Sequence, residues 1–125
     1  MKNDLKLTVE ERPGSVAILK VGGELDVATA PQFRDKLLEI VGQMFGRVVV
    51  DLTPVEFIDS SALGVILNAW KQLKAQDATL VVVSPKPRIS RIFEITGLAL
   101  SIRVCSSIDE ALGLGAVGGE SVVGQ

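Results

Sequence analysis

Two short runs constrain this chain more than anything else in it: Arg47-Val48-Val49-Val50-Asp51-Leu52 and Thr79-Leu80-Val81-Val82-Val83. Neither alternates apolar with polar residues, and both lie between segments of helical period. A strand with one wet face alternates, whereas an unbroken β-branched run has both faces covered, as in the middle of a parallel sheet. Parallel neighbours need a crossover, and residues 60–75 supply one. At about 100° per residue, Leu63, Ile66, Leu67, Trp70 and Leu73 share a core-facing side of that helix, with Ala62 and Ala69 beside them.

The rest of the chain fits around this unit. Leu5, Leu7 and Val9 alternate with Lys6, Thr8 and Glu10, and residues 15–21 form a more continuously apolar run. Pro13-Gly14 between them suits a type II turn, so the domain opens with an antiparallel hairpin. A first helix follows, with Thr29 as candidate N-cap, Pro31 in the first turn, Phe33, Leu37, Ile40 and Val41 at helical spacing, and Gly42 as the stop. A third helix over about 87–96 carries Ile89, Ile92 and Phe93 on one side and ends at Gly97. A weak strand at 101–105 and a short helix near 107–113 complete the pattern. The expectation is a single α/β domain over residues 1–112. Its mixed sheet has about four or five strands, a hairpin and then parallel crossovers, with about four helices. Residues 113–125, rich in glycine and without periodicity, read as a flexible tail.

Composition closes off several functions. Of 125 residues, 47% are hydrophobic and 22% charged, which is the balance of a folded globular domain rather than a disordered chain. No apolar run is long enough to cross a bilayer, and the charged N-terminal segment has no signal-like core, so a cytoplasmic location is expected without a membrane partner. A net charge of −2 argues against a nucleic-acid partner. The one basic stretch, Lys86-Pro87-Arg88-Ile89-Ser90-Arg91, reads as a solvated helix start. There is no histidine, which removes the commonest general base and the commonest metal ligand; no cofactor, metal or catalytic residue is expected. The single Cys105 reads as a small core residue.

The chemistry that remains concentrates at Asp59-Ser60-Ser61. Either Asp59 or Ser60 suffices to cap the helix that follows, accepting an otherwise orphaned backbone N–H. The helical wheel separates the two hydroxyls. Ser60 falls near the apolar boundary beside Leu67, whereas Ser61 heads a stripe of small and polar residues, Ser61, Gly64, Asn68 and Ala75, that faces away from the core. An outward hydroxyl beside small residues leaves room for another protein's surface to approach closely.

These residues also carry a resemblance. The segment VVVDLTPVEFIDSSALGVIL (48–67) resembles the core of the STAS domain, as found in bacterial anti-sigma factor antagonists. GGELDVATAPQF (22–33) is similar to that family's G-x-L-D turn before its first helix, and ISRIFEITGL (89–98) to its third helix and terminal glycine. The likeness spans residues 5 to about 112, with Ala62 standing where many members have glycine. The resemblance implies a phosphoacceptor at Ser61 and Asp26 near the partner-binding surface. That surface is expected to comprise Asp26, Asp59, Ser60, Ser61, Gly64 and Asn68. It further implies a non-enzymatic switch, a monomer when free. Unphosphorylated, the protein binds an anti-sigma factor that is also a serine kinase and so frees a sigma factor; phosphorylated on Ser61 it lets go, and a PP2C-type phosphatase restores it. ATP belongs to the kinase. A STAS docking subunit of another assembly, such as a lipid-transport ATPase or a stress-signalling complex, is the nearer alternative.

A phosphoaspartate receiver is the remote alternative, built on Asp51 at a strand end, Glu10 and Glu11, and Ser84 with Lys86. It fits poorly. A receiver's acidic pair leads directly into a helix, whereas Glu10-Glu11 leads into a hairpin, and Ser84 and Lys86 are too close in sequence to lie on successive strand ends.

Overall fold

The computed structural model describes residues 4–113. Its five strands, β1 (Lys6–Arg12), β2 (Val16–Gly22), β3 (Arg47–Asp51), β4 (Thr79–Val83) and β5 (Arg103–Cys105), form one sheet in the order β1-β2-β3-β4-β5. The β1–β2 pair is antiparallel and every later pair is parallel. Three helices cross over between the parallel strands: α1 (Ala30–Val41), α2 (Ser60–Ala75) and α3 (Pro87–Ile95). A single 3-10 turn, Leu98–Leu100, precedes β5, and helical turns follow at 108–113. The expected α/β architecture is the one observed; the glycine-rich tail lies outside the described residues.

Strand order equals chain order, so the crossovers stack on one face of the sheet. On that face Leu19, Val21, Val48, Val50, Leu80, Val82 and Ile102 meet Phe33, Leu37 and Ile40 of α1, Ile66 and Leu73 of α2, and Ile89 and Phe93 of α3. Ile18, Val49, Val81, Val83 and Cys105 fill the opposite face against Ala111, with Ile108 and Leu112 packed alongside. The unbroken valine runs are thus covered from both sides, as their lack of alternation required. Arg47 ties the 108–113 segment to the sheet by donating to the Ala111 carbonyl (2.8 Å) and the Thr79 hydroxyl (3.2 Å).

Several local details differ from the sequence expectation. The hairpin loop spans three residues, with Arg12 opposite Val16 and positive φ at both Gly14 (88°) and Ser15 (66°). Thr29 occupies the N-cap position of α1 but makes no cap hydrogen bond, because its hydroxyl turns back into the preceding loop. Gly97 ends α3 as expected, with its φ of 83° in the left-handed region. Trp70 is only partly buried at the rim of the core, where the Lys74 ammonium sits 4.8 Å from its ring centre. An amphipathic indole satisfies a boundary position as well as an interior one, so periodicity alone overstates its burial.

Two outcomes follow from this packing. Trp70→Ala is expected to cost about 1–2 kcal/mol in chemical denaturation, whereas Leu73→Ala, which empties a fully buried site on the same helix, costs about 2–5 kcal/mol. Burial, and secondarily the Glu110 charge, push the Cys105 thiol above its ordinary pKa. At about pH 8 iodoacetamide is therefore expected to alkylate the folded protein slowly and the unfolded protein rapidly.

Candidate functional site

The loops leaving β2 and β3 are joined by a short parallel bridge between Leu25 and Ile58, both buried. The Leu25 N–H donates to the Phe57 carbonyl and the Asp59 N–H donates to the Leu25 carbonyl, each at 3.0 Å. This bridge places Asp26, next after Leu25, beside the segment that starts α2. Each loop carries, just past the bridge, an aspartate that organises backbone amides. Asp26 Oδ1 accepts from the N–H groups of Ala28 (3.0 Å) and Thr29 (3.1 Å), while Thr29 Oγ1 accepts from Asp26 N–H (3.0 Å) and donates to the Glu24 carbonyl (2.7 Å). Asp59 is the N-cap of α2, its Oδ1 accepting from Ser61 N–H at 2.9 Å. Of the two candidate caps, the structure selects Asp59 and leaves both serine hydroxyls unused; neither bonds to a described residue.

The two serines do not divide as the wheel suggested. Ser60 is exposed and Ser61 is half-buried, so the residue expected at the apolar boundary is the more open one. A wheel counts only the helix's own residues, whereas the bridged loop at Leu25–Asp26 lies beside the first turn of α2. Asp26 and Asp59 are likewise half-buried, and Gly64 and Asn68 are exposed on the outward stripe.

Two exposed apolar residues that sequence reasoning passed over lie on the bridged loops. Val27 is 72% exposed and Phe57 is 47% exposed, one on each of the bridged loops. Their signal was faint: a single apolar residue in a polar loop follows no period, and only the bridge joins the two loops that carry them.

Gly64 adds a further indication. A Cβ built there would meet nothing within 4 Å, so nothing inside the domain requires glycine in the middle of this helix. Glycine at an exposed helix interior costs about 0.5–1 kcal/mol relative to alanine.

The receiver constellation is not assembled. Asp51 is buried with Oδ1 committed to the Thr53 amide and hydroxyl, Glu10 pairs with Arg12, and the Lys86 ammonium lies on the carbonyls of Thr53 and Val55. Among the described residues no group of three acidic or cysteine side chains is placed to hold a metal. Nor is any helix among them long and apolar enough to cross a membrane.

A five-stranded mixed sheet with its three crossover helices stacked on one face, and a capped helix start carrying an unused hydroxyl pair beside a bridged loop, define a small single-sheet α/β domain. Comparison with known proteins agrees. A model of the STAS domain matches residues 6–111. The anti-sigma-B factor antagonist of Listeria monocytogenes is 35% identical over 102 residues, 81% of this chain and 89% of that protein. The crystal structure of an anti-sigma factor antagonist from Mycobacterium paratuberculosis superposes with a TM-score of 0.82 at 28% identity, covering 90% of this chain and 94% of the other. SpoIIAA in its unphosphorylated form shares the fold, with a TM-score of 0.69 at 20% identity over 91% of this chain and 99% of that one. The chain belongs to the STAS-domain family, among the anti-sigma factor antagonists.

Gly64→Ala is expected to raise the denaturation midpoint, a gain of about 0.5–1 kcal/mol read by urea unfolding. A destabilised Gly64→Ala would mean that this face is occupied within the domain itself.

Proposed function

We propose that this protein is a non-enzymatic partner switch. Its unphosphorylated form binds an anti-sigma factor with serine-kinase activity through Asp26, Asp59, Ser60, Ser61, Gly64 and Asn68, together with Val27 and Phe57. Phosphorylation of Ser61 ends that binding, and a PP2C-type phosphatase reverses it. The observation that carries this reading is the hydroxyl of Ser61, unpartnered among the described residues at the start of a helix already capped by Asp59. Neither the cap nor the core needs that hydroxyl. The name carried by the Listeria relative supports the class of partner.

The charge change gives the switch its direction. A phosphoryl group brings about −1.5 to −2 charges, which the exposed N–H groups and dipole of a helix start accommodate. An interface that buries the same point beside Asp59 and Asp26 does not accommodate it: the charge must be desolvated next to two carboxylates. A penalty of about 3 kcal/mol corresponds to roughly a hundredfold loss of affinity. The fold tolerates the modification; the complex does not.

The test is incubation with the genomically neighbouring anti-sigma kinase and ATP, followed by mapping of the phosphate. Phosphate on Ser61 is expected. Phosphate on Ser60 would correct the residue, and none with tight binding would indicate a fixed docking subunit of another assembly. Ser61→Ala is expected to hold the kinase persistently, and Ser61→Asp to bind about a hundredfold more weakly with an unchanged circular dichroism spectrum. Equal binding by both variants would remove Ser61 from the interface.

A further inference from the structure

The basic stretch at the start of α3 is more than a solvated helix end. Lys86 stands at the N-cap position of α3, and its side chain reaches across to the β3–α2 loop rather than into solvent. Its ammonium donates to the Thr53 carbonyl at 2.6 Å and the Val55 carbonyl at 3.5 Å, and lies 3.4 Å from Glu56 Oε2. Two of these contacts are hydrogen bonds to backbone carbonyls and the third is an ion pair, so one ammonium is held by three oxygens of the same loop. The loop is gripped from the other side as well: Asp51 Oδ1 accepts the Thr53 N–H (3.0 Å), and the Val55 N–H donates to the Leu52 carbonyl (2.9 Å). Two residues after Val55 comes Phe57, whose carbonyl carries one of the two bonds of the Leu25 bridge, and then the Asp59 cap.

We infer that Lys86 is a positioning residue for the docking surface. It fixes Thr53–Glu56 so that the Phe57 carbonyl and the Asp59 amide keep their bonds to Leu25, and Asp26 and Asp59 their registration at the start of α2. The inference rests on the functional reading above, because the surface it positions is the one proposed there. The core does not account for the contact. Thr53, Pro54, Glu56 and Phe57 are all exposed, and of the four residues from Thr53 to Glu56 only Val55 is buried. A latch made of an ammonium on backbone carbonyls holds geometry where little apolar burial is available to do so.

Lys86→Met keeps the aliphatic stem and removes all three donors. Hydrogen exchange on the free protein is expected to accelerate at the Leu25, Val55 and Asp59 amides by about tenfold or more, with the β3 and β4 amides unchanged. Binding to the anti-sigma kinase is expected to weaken by about tenfold, the scale of one lost charge-assisted contact, and Lys86→Arg is expected to recover part of it. Should Lys86→Met not fold, Lys86→Gln is measured by the same criteria. Unchanged or uniformly raised exchange would overturn the latch, whatever the partner does. Equal binding by wild type and Lys86→Met would overturn its role in docking and leave the functional reading standing. Failure of the wild-type protein itself to bind such a kinase would remove both the functional reading and the docking role.

Discussion

The site depends on two backbone hydrogen bonds made by one buried residue. Leu25 donates to Phe57 and accepts from Asp59, and these bonds register the loop after β2 against the loop after β3. Without that bridge the two loops are separate surface segments. With it, the Asp26 turn is registered against the start of α2. The bridge in turn rests on the paired strands below it, whose valine runs are buried on both sides, so the proposed docking face stands on a fully covered part of the sheet.

Each aspartate at this face does structural work that also shapes the proposed switch. Asp59 satisfies an orphan amide of α2, and Asp26 satisfies two amides in the turn before α1. Both carboxylates are consequently fixed in place, Asp59 on the Ser61 amide itself and Asp26 on the bridged loop, by bonds that stabilise the free domain. An added phosphoryl group meets a helix start that welcomes negative charge and a surrounding rim that already holds it. In the free protein water screens that rim; against a partner it does not. Gly64 extends the same proposal, since an open helical glycine with no internal neighbour costs a little helix stability and leaves room for a partner to approach closely.

Much of this was legible in the sequence because it is periodic or local. The β-branched runs at 48–50 and 79–83, the span of α2 over Ser60–Ala75 and a cap at Asp59 or Ser60 all follow from patterns within a few residues, and the structure decides between the two caps. What was not legible is long-range. The Lys86 contact to Thr53 joins residues 33 apart, and nothing in Lys86-Pro87-Arg88 announces it. The Leu25–Ile58 bridge joins two loops that carry no periodic signal, so the registration of Asp26 against the start of α2 could not be read. The exposures of Ser60 and Ser61, and the rim position of Trp70, depend on neighbouring elements that a helical wheel leaves out.

The most direct measurement of the central claim is a pair of calorimetric titrations of the kinase partner. One uses the unmodified protein and the other the protein enzymatically phosphorylated to completion on Ser61, with an amide correlation spectrum recorded for each free form. The account predicts roughly a hundredfold weaker binding by the phosphorylated form, with spectral changes confined to the start of α2 and the adjoining Asp26 loop. Equal affinities, or shifts spread through the sheet and core, would contradict it.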